Sequence, residues 1–310
     1  MSSPPERVLV TGASGLIGNS ALSTLTNKGY ATIGVSKSKP ELINPKTSWI
    51  SLDLSSAQAR NKLDSLSPFY AIVHCAAAIP ESLSNETSQA AGEINSILDQ
   101  LIIDYCIDHN TRLIYCSGTS VYMPASNESV DEDHPLDKEP SHYISEKIAS
   151  ESRIREQVES YAILRICAPY GPKLRARTVL KIFIDTAIAG EVLRYHGSGL
   201  REQDFLHVCD IAEGISAAIE RKHITGTFNM SGGCPISMRD LASLVTEIVG
   251  DPLSKVKCSG EIDAQEDYRA NFNINRAKNF LGWEPTITLQ AGIKEWINLI
   301  RKDFHTRIIK

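Results

Sequence analysis

Residues 8–18 constrain this chain more than any other stretch. A short apolar run, Val8-Leu9-Val10, passes directly into Thr11-Gly12-Ala13-Ser14-Gly15-Leu16-Ile17-Gly18, and a helical pattern through Leu22 and Leu25 follows. The glycines permit a tight turn, and their bare backbone lets a pyrophosphate approach the N-terminus of the helix. Glycine triplets also gather in loops for turn geometry alone. The order strand, turn, helix is what favours a phosphate cradle here. The glycines at 12, 15 and 18 are three apart, without the one-residue gap that opens G-x-G-x-x-G.

Further apolar runs at Ala31–Val35, Trp49–Leu52, Ala71–His74 and Leu113–Cys116 read as strands. Between the last two, Ile94, Ile97, Leu98, Leu101, Ile102 and Tyr105 recur at helical spacing. Strands alternating with helices predict an α/β fold, a Rossmann-type doubly wound parallel sheet with its ligand at the carboxyl ends of the strands. The second half is less regular. A strand at Ala162–Ile166 runs into the turn Pro169-Tyr170-Gly171-Pro172, and helices are expected near Val179–Ala189, Ile211–Glu220 and Leu241–Val249. A strand at Thr227–Met230 and a last amphipathic helix bearing Ile293, Trp296, Ile297 and Ile300 complete the pattern. The expected division is a cofactor domain over 1–168 and a smaller C-terminal substrate-binding lobe over 169–310, with segments returning to the first.

Composition narrows the partners. With 37 acidic against 32 basic side chains the net charge is −5, which argues against a nucleic-acid partner. No apolar run approaches a membrane span of about 18 residues, and the start, MSSPPERVLV, lacks a signal-peptide pattern. A cytoplasmic location is expected. Seven cysteines without a C-x-x-C pair point neither to a metal site nor to a disulfide framework.

Tyr143 and Lys147 are four residues apart, so on a helix they share one face about 6 Å apart. A free tyrosine, with a pKa near 10, is a poor acid or base at neutral pH. A neighbouring ammonium favours the phenolate and brings the proton-transfer group towards working pH. Taken alone, such a pair is most often a surface pair; its place downstream of the glycine turn gives it meaning.

At this point the sequence resembles the extended short-chain dehydrogenase/reductases, a group of sugar-nucleotide epimerases, dehydratases and ketoreductases. The likeness runs through Thr11–Gly18, Asp53-Leu54, His74-Cys75-Ala76-Ala77, Asn95, Val121-Tyr122 and Tyr143/Lys147. It continues through Leu164-Arg165, Tyr170-Gly171-Pro172, Asp204-Phe205, His207-Val208, Asp210 and Leu281-Gly282-Trp283-Glu284-Pro285. The resemblance implies a nucleotide-sugar substrate. It places the cofactor on Gly12, Ser14, Gly15, Leu16, Ile17 and Gly18, with Asp53 at the adenine, Ala76 and Ala77 beside the ribose, and Leu54 and Asn95 also among the cofactor-binding residues. Tyr143 is implied as the general acid/base, and Lys147 as the holder of the nicotinamide ribose that lowers the tyrosine pKa.

Three departures stand out. Where many members carry a serine or threonine four residues before the Val-Tyr tyrosine, this chain has Gly118. A variant of the pattern makes Ser117 the hydroxyl on the reacting sugar oxygen, with Thr119 and Ser120 as reserves. The arginine that precedes Asp-Phe and reaches the diphosphate is replaced by Gln203; Arg201, two residues earlier and on the same side of an extended stretch, is expected to supply the charge. Ala168-Pro169 replaces an asparagine donor.

The end of the second strand bears on the cofactor. An acidic residue there would bond the ribose hydroxyls and repel a 2′-phosphate. This chain has Val35-Ser36-Lys37-Ser38-Lys39, with no carboxylate until Glu41. Ser36 and Lys37 are suited to a phosphate, so NADP(H) is favoured, with NAD(H) the alternative. The expected reaction is hydride transfer at the hexose C4, leaning to an NADPH-dependent 4-ketoreductase. A 4-epimerase with retained NAD is the alternative, and a non-catalytic cofactor-binding regulator a further one. A dehydratase fits less well, because Thr119-Ser120 occupies the place of its Asp-Glu pair. Relatives of this fold pair two helices of each subunit into a homodimer interface. Here Ile103 and Ile107 are expected outside the main stripe of their helix, facing a partner subunit.

Overall fold

The computed structural model describes residues 6–40, 46–80, 85–123, 129–250 and 255–308; Glu41 lies outside them. In the first half, β1 (Arg7–Thr11), α1 (Leu16–Asn27), β2 (Ala31–Ser36) and β3 (Ser48–Ser51) are followed by α2 (Ala59–Leu66) and β4 (Ala71–His74). Then come α3 (Asn85–His109), β5 (Arg112–Gly118), α4 (His142–Gln157) and β6 (Tyr161–Ile166). The second half begins with β7 (Pro169–Tyr170), α5 (Val179–Ile188), β8 (Leu193–Tyr195), β9 (Glu202–Gln203), β10 (Leu206–His207) and α6 (Val208–Glu220). It ends with β11 (Gly226–Met230), β12 (Ile236–Ser237), α7 (Met238–Val249), β13 (Val256–Cys258) and α8 (Leu289–Ile308).

Seven strands form one parallel sheet in the order β11-β6-β5-β4-β1-β2-β3. The chain steps outward from β1 to β3 and then crosses to β4, so the order reverses between β1 and β4. That reversal opens a crevice at the strand ends. Val8, Leu9, Val10 and Ala71–Val73 are buried because helices cover both faces. One face packs on α1 and α6 through Leu22, Leu25, Ile211 and Ile215. The other packs on α3 and α4 through Leu98, Ile102, Tyr105 and Ile154. A separate core joins α5, α7 and α8 through Phe183, Leu241 and Trp296. The second half also returns β11 to the sheet beside β6.

One expectation needs correction. Ile103 is not on an outer face; it is 1% exposed in the core beneath α3, because that helix rolls it onto the sheet. The exposed large apolar residues of α3, among those described, are Ile94, Ile97 and Ile107. Among the described residues, no helix is long and apolar enough to cross a membrane.

Candidate active site

The glycine turn fits its expected place, between the end of β1 and the start of α1. Gly12 has φ +64°, and a Cβ there would meet the Cys75 carbonyl and the Ala76 nitrogen at 2.7 Å. The Thr11 hydroxyl oxygen fixes the same junction by accepting the Cys75 and Ala76 N–H groups at 3.2 and 3.1 Å. Helix α1 begins at N-cap Gly15 without a side-chain cap and with no acidic residue in its first turn. Its first amides are therefore suited to an anion, and a dinucleotide pyrophosphate fits the cradle.

From this turn a cleft of about 820 Å³ runs over Ser14, Leu16, Ile17, Ala77, Ser117, Tyr143 and Lys147 towards Gln203 and Arg269. A second hollow of about 380 Å³ adjoins it, lined by Ser36, Lys37, Leu54, Ala76 and Ala77. Its shape and apolar floor suit an adenosine. Asp53 and Asn95 act on this lining through neighbours. Asp53 accepts from the Ser55 hydroxyl at 2.7 Å and pairs with Lys37 Nζ at 3.0 Å; these contacts pull its pKa down to about 2. Asn95, fully buried, accepts the Ala78 N–H at 2.7 Å and donates to the Ala78 carbonyl at 3.0 Å. It pins the loop after β4.

Tyr143 and Lys147 project from the first turns of α4. The Tyr143 amide, free of an intrahelical partner at this end, donates to Ser88 Oγ of α3 at 2.9 Å. Lys147 is 4% exposed and donates to Tyr115 Oη at 2.9 Å. Beneath it lies a group that sequence reasoning missed. Asp99 sits 3.5 Å from Lys147 Nζ and accepts from Tyr115 at 2.5 Å, Ser150 at 2.8 Å and His74 Nε2 at 2.9 Å. His74 Nδ1 is 2.7 Å from Thr11 Oγ1, so the imidazole proton is assigned to Nε2 and one hydrogen-bonded chain runs from the glycine turn to the lysine. These donors and the lysine charge overcome burial and hold the Asp99 carboxyl well below the usual carboxylate range. The available signal was a carboxylate on the buried side of an apolar helix stripe.

Lys147 was expected to lower the Tyr143 pKa. In the structure burial pushes the phenol up, and the Lys147 charge opposes that without cancelling it.

On the substrate side, Ser117 is buried and donates to Glu151 Oε1 at 2.7 Å. Glu151 in turn holds Arg165. Thr119 is buried and Ser120 exposed, both at the cleft. Gly118 has φ −136°, and a Cβ there would meet Ser120 Oγ at 3.4 Å, the Ile166 carbonyl at 3.8 Å and the Ser120 nitrogen at 3.9 Å, all ordinary contacts. A side chain would therefore fit, so space does not demand this glycine. Gln203 lines the cleft, and Arg201 is not among its lining residues. The Arg201 guanidinium is drawn instead to Asp263 at 2.9 Å and Gln265 at 3.0 Å. Besides Lys147, the cations that line the cleft are Lys173, Arg175 and Arg269, none of which had a sequence signal.

The profile of the NAD dependent epimerase/dehydratase family matches residues 8–231. The chain belongs to this family. It is an enzyme of the NAD-dependent epimerase/dehydratase class. A Methanocaldococcus jannaschii protein provisionally named UDP-glucose 4-epimerase is 27% identical over 96% of this chain and 100% of its own length. The UDP-glucose 4-epimerase of Thermotoga maritima, solved with UDP-glucose, shares the fold at a TM-score of 0.83 and 24% identity, over 96% of this chain and 99% of that one. The UDP-glucuronic acid 4-epimerase of Bacillus cereus, solved with UDP-glucuronic acid and NAD, aligns at a TM-score of 0.81 and 22% identity, over 95% and 99%. The glycine turn, the adjoining hollow and Tyr143/Lys147 lie along one continuous path.

Proposed function

We propose that the protein is a nucleotide-sugar 4-epimerase that retains NAD, with UDP-hexoses as its substrate class. The observation that carries this reading is Tyr143, beside Lys147, facing a roomy cleft that adjoins the dinucleotide cradle. Dehydration needs further acid–base groups, and Thr119 and Ser120 stand where those would be. The ketoreductase reading rested on Lys37 as a partner for a 2′-phosphate. That ammonium is 3.0 Å from Asp53, whose carboxylate offsets its charge and would repel an added phosphate, so NAD(H) is preferred over NADP(H). Two of the proteins named above are UDP-sugar 4-epimerases and the third is provisionally named as one.

Bound NAD would supply the hydride acceptor and donor at C4. Tyr143 takes the proton of the C4 hydroxyl and later returns it, for which Lys147 steadies the phenolate. Asp99, with Tyr115, Ser150 and His74, holds Lys147 in place. Ser117, steered by Glu151, is the nearest candidate to bond the reacting sugar oxygen, with Thr119 and Ser120 beside it. Arg269 and Lys173 are placed for the diphosphate, and Gln203 for the adjoining polar groups. Exposed Ile97 on α3 is suited to a homodimer contact.

The test is incubation with UDP-glucose and no added cofactor. The expected product is UDP-galactose, and acid-denatured protein should release NAD. An empty protein that consumes NADPH with a 4-keto nucleotide sugar, and makes no epimer, would instead establish the ketoreductase.

A further inference from the structure

We propose that Cys75 and Cys116 form a reversible oxidation site in the cleft, where a hydroperoxide joins the two sulfurs in a disulfide that weakens dinucleotide binding. The two residues directly follow His74 and Tyr115, which are register partners on the adjacent parallel strands β4 and β5. Register neighbours in a parallel sheet point to the same side, with backbones about 4.8 Å apart. That spacing falls inside the range of Cα separations that disulfides adopt. The sulfurs are already 3.4 Å apart, so they need approach by only about 1.4 Å to reach a bond of about 2.05 Å. Both residues are half-buried and line the cleft, so a small oxidant reaches them from the substrate side.

The hydrogen bond to Cys116, and then burial, push the Cys75 thiol up. Either sulfur can donate in this contact; in the proposed step Cys116 is the attacking sulfur. In the first step the Cys116 thiolate attacks a peroxide oxygen, an S–O bond forms as the O–O bond breaks, and water leaves after proton uptake. In the second, the Cys75 sulfur displaces the sulfenic oxygen, which departs as a second water when the S–S bond forms. Two thiols lose two electrons and two protons, and one hydrogen peroxide is reduced to two waters.

The junction that moves is the one the glycine turn rests on. Gly12 has no room for a Cβ against the Cys75–Ala76 peptide, and Thr11 Oγ1 accepts the N–H groups of both Cys75 and Ala76. Pulling the end of β4 towards β5 shifts this support beneath the turn. The resulting loss of affinity presupposes the NAD site proposed above; formation of the disulfide does not.

The experiment uses the full chain with Cys209, Cys234 and Cys258, the exposed cysteines, replaced by serine. The protein is reduced, freed of reductant and treated with hydrogen peroxide. The expected result is a mass lower by two hydrogens and a Cys75–Cys116 cross-linked peptide. NAD affinity should fall by about tenfold, and dithiothreitol should restore it. Neither Cys116→Ser nor Cys75→Ala, in the same background, should form the cross-link or lose NAD affinity on treatment. Gain of oxygen without loss of hydrogen, or linkage through other cysteines, overturns the site. A mapped cross-link with unchanged NAD affinity overturns its effect on binding. If the reduced protein binds no NAD yet the cross-link forms, the cofactor reading has failed and the oxidation site stands.

Discussion

Beneath Tyr143, the side chains of Asp99, His74, Tyr115 and Ser150 partner one another and Lys147. Across the cleft, Gln203 lies in the two-residue strand β9, with Arg201 just before it and outside the lining, and Lys173, Arg175 and Arg269 stand on connecting segments. The first wall is made of strand ends and helix faces, so its polar groups are fixed before any ligand arrives. The second is carried by segments that can adjust to different ligands. Proton transfer needs placement to a fraction of an ångström. Holding a flexible diphosphate sugar tolerates more. On the proposed function, the contrast puts proton transfer and substrate choice on different parts of this chain.

The sharpest way to break the comparison is Tyr143→Phe. It removes the proton carrier and nothing from the wall beneath it, so turnover should fall on the order of a thousandfold, with NAD affinity by calorimetry nearly unchanged. Equal losses in both would mean that Tyr143 only supports the site.

Asp99→Asn is next. It leaves Lys147 buried without its counter-charge, and urea unfolding at neutral pH should show a loss of about 3 kcal/mol. The Asp99 carboxyl is depressed in the folded state. Its contribution is therefore complete above the ordinary carboxylate pKa and is lost as pH falls through the lower folded value. The gap between variant and parent should be flat from pH 7 to pH 5 and shrink only in stronger acid. A gap that closes near neutrality would contradict the placement of that charge.

The two arginines probe the other wall. Arg269→Ala should raise the KM for a UDP-hexose about tenfold by removing a charge contact to phosphate. Arg201→Ala, whose guanidinium is engaged by Asp263, should change it by less than about threefold. Steady-state kinetics that rank them in reverse would return the diphosphate to Arg201. The smallest effect is expected at Lys37, 69% exposed and paired with Asp53. Lys37→Ala should alter NAD affinity by less than about threefold; a much larger loss for NADP(H) would restore the reductase reading.

Periodicity and motif order determined the alternation of strands and helices, the glycine turn before α1 and the Tyr143/Lys147 pair on one helix. These are local properties, fixed by residues within a few positions of each other, so they are legible in one dimension. The sequence also marked Ser36, Lys37 and Asp53 without revealing that Lys37 and Asp53 pair across two strand ends. Tertiary structure alone decided that Ile103 is core, that Arg201 turns to Asp263, and that Arg269 reaches the cleft. It also brought Asp99 under Lys147 across 48 residues of chain, and Cys75 beside Cys116. The physical reason is common to all of these. Each depends on which strands become neighbours and how each helix rolls against the sheet, and that is settled by packing the whole chain, not by the preferences of any one segment.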